Sequence, residues 1–81
     1  MTVEKRVINV LAEYLGIESS KIQSGTLLVE ELGLDSLNGL EIEIAIEKEF
    51  GFNEFYEVEL SEIKTVQDIV RLVEDNIQEI K

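Results

Sequence analysis

The sequence predicts an all-α fold, a small antiparallel bundle of three long helices and one short helix, with a long loop between helices one and two. Apolar residues recur at the three- and four-residue spacing of a helix face in separate segments, and no proline interrupts them. With 81 residues, the chain cannot hide these faces separately, so the helices are expected to pack together. No repeat or linker divides the sequence, and residues 1–81 are predicted to form one domain.

The first helix is predicted near the start of the chain. Thr2 can cap its N-terminus, and Gly16 stands where a left-handed residue commonly ends a helix. The apolar positions between them are Val3, Val7, Val10, Leu11, Tyr14 and Leu15.

Residues 17–35 are rich in turn-forming residues and predict a long loop. A loop of this length in a small domain usually has a functional role. Its apolar side chains are expected to anchor it to the core; they are Ile17, Ile22, Leu27, Leu28, Val29, Leu32 and Leu34.

Three further elements follow the loop. A second helix is predicted from about Ser36 to Phe50, ending at Gly51. Residues 52–63, FNEFYEVELSEI, are predicted to form the short helix. Thr65 and Asp68 resemble a capping box that opens the last helix, in which the acid replaces the usual Glu or Gln. The apolar stripe of that helix is Val66, Ile69, Val70, Val73 and Ile77.

The second predicted helix carries apolar residues on two opposite faces, at about 100° of rotation per residue. The face expected to be buried comprises Gly39, Ile42, Ala45, Ile46 and Phe50. The other face carries Leu37, Leu40 and Ile44, which lie among Glu41, Glu43, Glu47 and Lys48. An exposed apolar strip ringed by charge often marks a docking site. The alternative is that the loop or the short helix simply covers this strip.

Composition excludes several classes of function. The chain has no Cys and no His, so a disulfide framework, a thiolate metal site and a histidine base are all missing, and the acidic residues do not follow a calcium-loop pattern. We therefore expect no metal site. Eighteen acidic and seven basic residues give a net charge of −11, which disfavours nucleic acid and favours basic protein partners. No apolar run is long enough to cross a bilayer, and we expect a cytoplasmic monomer without stable membrane insertion.

Ser36, between Asp35 and Leu37, has three possible roles. Either Asp35 or Ser36 could cap the second helix. A catalytic serine would need a base, and neither a His nor a lysine in an apolar setting is present to serve as one. The third possibility is modification of the hydroxyl by a separate enzyme, since the positive end of a helix dipole stabilises an attached phosphate.

Three segments together resemble a known family. They are VEKRVINVLAEYLGI at residues 3–17, EELGLDSLNGLEIEIAIEKEFG at residues 30–51 and EIKTVQDIVRLVEDNI at residues 62–77. They are similar to the acyl carrier proteins, non-enzymatic domains that carry 4'-phosphopantetheine on the Ser of an Asp-Ser-Leu motif. Asp-Ser-Leu alone is a weak signal, but its combination with the flanking segments at this spacing is specific.

The resemblance implies a role for each matching residue. Ser36 would bear the phosphopantetheine arm, and Asp35 would help to position the modifying phosphopantetheinyl transferase and its metal. The residues that match the face shown to partner enzymes, which would be acyl-transferring or synthase enzymes with basic surfaces, are Leu37, Leu40, Glu41, Ile44 and Glu47. The candidates to line a cavity for the acyl chain are Leu32, Ile42, Ala45, Ile46, Ile63, Val66 and Ile69.

Two alternative functions are also compatible with the sequence. An aminoacyl, D-alanyl or peptidyl carrier shares the Asp-Ser-Leu motif, although the strong acidity favours an acyl carrier of fatty acid or related polyketide, lipid or specialised biosynthesis. An unmodified helical adaptor would use the acidic and apolar strip for binding only. The chain also departs from the family pattern, because FNEFYEVE stands at residues 52–59 where many relatives have a proline-containing sequence. The short helix and the acyl cavity are therefore expected to differ from those of such relatives.

Overall fold

The computed structural model describes residues 2–51 and 63–79, apart from the side chains of Ser36 and of residues 76–79. Within these residues the fold is all-helical, as predicted, with three α-helices: α1 (Val3–Leu15), α2 (Ser36–Phe50) and α3 (Val66–Glu79). A single 3₁₀ turn, Ser19–Lys21, interrupts the loop between α1 and α2 and was not predicted. The predicted short helix at residues 52–63 lies, except for Ile63, outside the described residues.

Local chemistry sets both ends of α1. The Thr2 hydroxyl accepts a hydrogen bond from the backbone N–H of Lys5 at 3.1 Å, which satisfies one of the free donors in the first turn. Gly16 adopts a left-handed conformation with φ of 71°, and its N–H donates to the carbonyl of Ala12 at 2.8 Å. Both predicted ends of the first helix are confirmed.

The core forms where α1 packs against both α2 and α3. Each helix contributes an apolar stripe, and the loop between α1 and α2 adds further side chains. The buried apolar residues are Val7, Leu11 and Ala12 of α1, Ile42 and Ile46 of α2, Val66, Ile69, Val70 and Val73 of α3, and Ile22, Leu28 and Leu34 of the loop. Removal of these side chains from water is the main force that holds the helices together.

The long loop is fixed to the start of α3 by backbone hydrogen bonds. The N–H of Leu28 donates to Lys64 O at 2.9 Å, and the N–H of Gln67 donates to Ser24 O at 2.8 Å. Only part of the predicted apolar anchor is correct, however. Ile22, Leu28 and Leu34 are buried, whereas Ile17, Leu27 and Val29 are exposed. Consecutive turns after Thr26 send neighbouring side chains in different directions, so Leu28 faces the core and Val29 faces solvent.

The capping box predicted for α3 is confirmed. One oxygen of Asp68 accepts from the N–H groups of Lys64 and Thr65 at 2.9 and 3.0 Å, and the Thr65 hydroxyl accepts from the N–H of Asp68 at 3.2 Å. The hydrogen bonds from Lys64 and then Thr65 hold the pKa of the Asp68 carboxyl below its usual range, because they stabilise the charged form.

Replacement of Asp68 by Ala is expected to cost about 1 kcal/mol of stability at pH 7 through loss of this cap. Because the pKa is lower in the folded state, the contribution is complete above the unfolded carboxyl pKa of about 4 and is lost as pH falls through the folded value. The difference in free energy of unfolding between wild type and variant should therefore shrink below about pH 4. Urea unfolding at several pH values measures it. Asp75→Ala, which removes an exposed carboxylate from the same helix, is the control; an equal loss there would contradict the capping account.

None of the helices in the described part of the chain is long and apolar enough to span a membrane.

Candidate functional site

Asp35 and Asn38 form the cap at the start of α2. The Asp35 carboxylate accepts from the N–H of Asn38 at 2.9 Å, and the Asn38 side-chain oxygen accepts from the N–H of Asp35 at 3.0 Å. Of the two capping residues that the sequence left open, Asp35 therefore occupies the N-cap position and Ser36 is the first residue of the helix. The reciprocal contribution of Asn38 was not predicted.

Tyr14 of α1 connects this cap to the outer surface of α2. The Asn38 side-chain N–H donates to the Tyr14 hydroxyl at 3.0 Å, and the Tyr14 hydroxyl donates to a carboxylate oxygen of Glu41. The hydrogen bond to Glu41 raises the pKa of the Tyr14 phenol, because the carboxylate stabilises its protonated form. Tyr14 was predicted only as part of the apolar stripe of α1, and this contact was not predicted. The sequence feature that could have indicated it is a tyrosine at the edge of an apolar stripe, because the hydroxyl in such a position needs a polar partner.

The two predicted faces of α2 are confirmed by their exposure. Ile42 and Ile46 are 4% and 1% exposed, whereas Leu37, Leu40 and Ile44 are 64%, 51% and 52% exposed. The long loop therefore leaves Leu37 and Leu40 uncovered, whereas nearly all of the predicted short helix, the other element considered as a cover, lies outside the described residues. An apolar strip lies open to solvent along the helix that begins at Ser36.

Carboxylates lie on both sides of this strip, but they differ in exposure. Glu41 is exposed, and Glu43 and Glu47 are half-buried. Burial, and then the neighbouring charge of Glu47, raises the pKa of the Glu43 carboxyl. Glu43 was expected to stand among the charges of the outer face, and its partial burial places it at the edge of that face.

The core of the bundle brings together most of the residues considered for an acyl cavity. Ile42, Ile46, Val66 and Ile69 are buried in one cluster, and the partly buried Leu32 and Ile63 pack against it. Ala45 does not belong to this cluster. It lines an open groove between α1 and α2, together with Val10, Glu13, Tyr14, Lys48 and Glu49.

Arg6 holds the other end of α2 against α1. Its guanidinium contacts the Glu49 carboxylate at 3.1 Å, donates to the Glu49 carbonyl at 2.9 Å and lies 4.3 Å from the centre of the Phe50 ring. Gly51 then ends α2 in a left-handed conformation, as predicted. The Arg6 contacts were not predicted, because they join residues far apart in the sequence.

Within residues 2–51 and 63–79, no group of three acidic side chains is arranged to hold a metal ion.

The fold and this surface define a small helical domain that exposes an acidic and apolar strip next to a capped helix start. A family model described as the C-terminal ACP domain of the highly reducing polyketide synthase sdgA matches residues 1–81. The acyl carrier protein of Coprothermobacter proteolyticus is 38% identical over 69 residues, which cover 85% of this chain and 83% of that protein. The chain therefore belongs to the acyl carrier protein family, whose members are non-catalytic carriers.

Proposed function

We propose that this protein carries acyl groups as thioesters on 4'-phosphopantetheine attached to Ser36, and delivers them to enzymes of fatty acid, polyketide or related biosynthesis. The observation that carries the proposal is the position of Ser36. It directly follows the cap residue Asp35, begins α2 and stands beside the exposed strip, in a chain that belongs to the acyl carrier protein family.

Attachment requires only an accessible hydroxyl and an external enzyme. The Ser36 oxygen would bond to the phosphorus of the phosphopantetheinyl group of coenzyme A, the pyrophosphate P–O bond would break, and adenosine bisphosphate would leave. The hydroxyl proton passes to a base of the transferase, since the chain has no His. The cofactor supplies the thiol for the thioester, which a chain without Cys cannot supply itself. The N-terminus of α2 stabilises the attached phosphate, and Asp35 helps to position the transferase and its metal.

The strip and its flanking carboxylates form the surface proposed for partner enzymes. This docking surface consists of Leu37, Leu40, Glu41, Ile44 and Glu47. Leu37, Leu40 and Ile44 supply apolar contact area, and the carboxylates select basic surfaces and reject acidic ones. Both the phosphopantetheinyl transferase and the downstream synthase or acyl-transferring enzymes are expected to bind here, because each must reach the same Ser36 or its arm.

The acyl chain is proposed to shelter in the bundle core. An apolar chain gains from removal from water, and the buried side chains of α2 and α3 offer the apolar surroundings. The proposed lining is Leu32, Ile42, Ile46, Ile63, Val66 and Ile69, without Ala45, which lies in the groove on the α1 side. We also propose that the three helices run antiparallel, that residues 1–81 form one domain and that it acts as a monomer.

Association with the transferase is expected to be fast and sensitive to salt. The net charge of −11 attracts a basic surface at long range. At 0.1 M ionic strength, salt limits the range of this attraction to about 10 Å. Raising the ionic strength should slow association more than it speeds dissociation. Stopped-flow measurement of both rate constants checks this, and an association rate constant that does not change with salt would contradict electrostatic steering.

Loading in vitro tests the proposed function. The purified chain is incubated with coenzyme A and a phosphopantetheinyl transferase of broad specificity, and its intact mass is measured. A carrier gains the mass of one phosphopantetheinyl group, whereas an unmodified adaptor keeps its original mass. The mass of the cargo on protein from its native cell then separates an acyl carrier from an aminoacyl or peptidyl carrier.

A further inference from the structure

A continuous chain of hydrogen bonds runs from the turn before Ser36 to the docking surface. It passes from Asp35 to Asn38, from Asn38 to the Tyr14 hydroxyl, and from that hydroxyl to Glu41. Tyr14 belongs to α1, so the chain joins two helices at the point where α2 begins. The cap itself needs only Asp35 and Asn38. The Tyr14 hydroxyl accepts from Asn38 and also engages Glu41, which is not part of the cap.

The contact restricts an exposed side chain that would otherwise move freely. A glutamate on the surface of a helix samples many rotamers, and ordering it on binding has an entropic cost. Tyr14 is half-buried and its ring packs against the core, so its hydroxyl is a fixed point from which to hold Glu41. The hydroxyl is also oriented, because it accepts from Asn38 while it donates to Glu41. One carboxylate oxygen of Glu41 is thus engaged at a set position.

We propose that Tyr14 is a positioning residue for partner recognition, which fixes the Glu41 carboxylate for a basic side chain of the phosphopantetheinyl transferase. This inference rests on the proposed function. A carboxylate that is already ordered loses less freedom when a guanidinium or ammonium group pairs with it, so Tyr14 lowers the KM for loading. It does not touch the reacting atoms, and the cap of α2 remains without it. The catalytic rate constant is therefore independent of the hydroxyl.

Tyr14→Phe tests the inference, since it keeps the ring and removes only the hydroxyl. In transferase assays with coenzyme A, the variant is expected to show a KM about three- to tenfold higher, the size of effect that one hydrogen bond produces, with kcat within about twofold of wild type. Glu41→Ala should raise the KM at least as much. Glu74→Ala, which removes an exposed glutamate from α3, is the matched control and should leave the KM unchanged.

A double-mutant cycle distinguishes positioning from general structural support. If Tyr14 acts through Glu41, then Tyr14→Phe has no further effect on the KM in the Glu41→Ala background. If it only supports the fold, the two effects multiply, and the inference is overturned. The phenol titration of Tyr14, followed by NMR with carbon-13-labelled tyrosine, reports the contact without any loading. Its pKa should fall towards the usual tyrosine value in Glu41→Ala, and an unchanged pKa would show that Glu41 does not hold the hydroxyl.

The outcomes separate this inference from the proposed function. A wild-type chain that gains no phosphopantetheinyl group overturns the proposed function, and the inference falls with it. A wild-type chain that is loaded, together with a Tyr14→Phe variant of unchanged KM, overturns the inference alone. If Tyr14→Phe raises the KM of the loaded wild-type chain but does not raise it further in the Glu41→Ala background, the proposed function and the inference are both supported.

Discussion

Ile46→Arg is expected to unfold most of the domain at room temperature. Ile46 is 1% exposed and lies in the apolar cluster where the three helices meet. An unpaired charge in this position costs several kcal/mol, which is a large part of the total stability of about 5–15 kcal/mol for a small domain. Circular dichroism should show a much reduced helical signal and no cooperative melt above room temperature.

Ile44→Arg is the matched control and carries the functional half of this prediction. The residue has the same side chain, lies two positions away on the same helix, and is 52% exposed. Surface substitutions usually change stability by no more than about 0.5 kcal/mol, so the thermal midpoint should stay close to that of wild type. Loading by the transferase should nevertheless be slower at limiting carrier concentration, because a positive charge in the docking surface repels a basic partner. If Ile44→Arg unfolds as fully as Ile46→Arg, the docking surface must be withdrawn.

Ser36→Ala is expected to abolish loading completely. Ser36 supplies the hydroxyl at the first position of α2. The cap of that helix comes from Asp35 and Asn38. The variant should therefore keep the helical spectrum and lose at most about 1 kcal/mol of stability. Intact mass after incubation with coenzyme A and the transferase should equal that of the untreated variant.

Other serines provide the control for this experiment. Ser20 lies in the exposed 3₁₀ turn, and the Ser20→Ala variant should be loaded like wild type. In the sequence, Ser19, Ser24 and Ser61 do not follow an Asp either. A Ser36→Ala variant that remains folded and still gains one phosphopantetheinyl group would show that the attachment site had been assigned to the wrong residue.

Both ends of α1 and the start of α3 were predictable because each depends on residues close together in the sequence. The side chains of Thr2 and Asp68 bond to backbone groups a few residues away, and Gly16 adopts the left-handed conformation that other residues rarely accept. The two faces of α2 were predictable for a similar reason. The helical repeat alone places Ile44 and Ile46 on opposite sides.

The contacts that position the site were not predictable, because they join distant parts of the chain. The hydrogen bond between Tyr14 and Glu41 and the ion pair between Arg6 and Glu49 both depend on how α1 packs against α2. The sequence indicates only that such polar groups need partners, without indicating which. The exposure of Val29 was missed because an irregular loop has no repeat from which the direction of a side chain can be calculated.

The central claim, that Ser36 carries a thioester cargo, is tested most directly on protein isolated from its native cell. Intact mass spectrometry is followed by hydroxylamine treatment, which cleaves thioesters, and by fragmentation of the peptide that contains Ser36. We predict a mass above that of the bare chain, loss of an acyl group on treatment, and a remaining phosphopantetheinyl group located on Ser36. A native protein with the bare mass of the chain, or with its modification on another residue, would contradict the account.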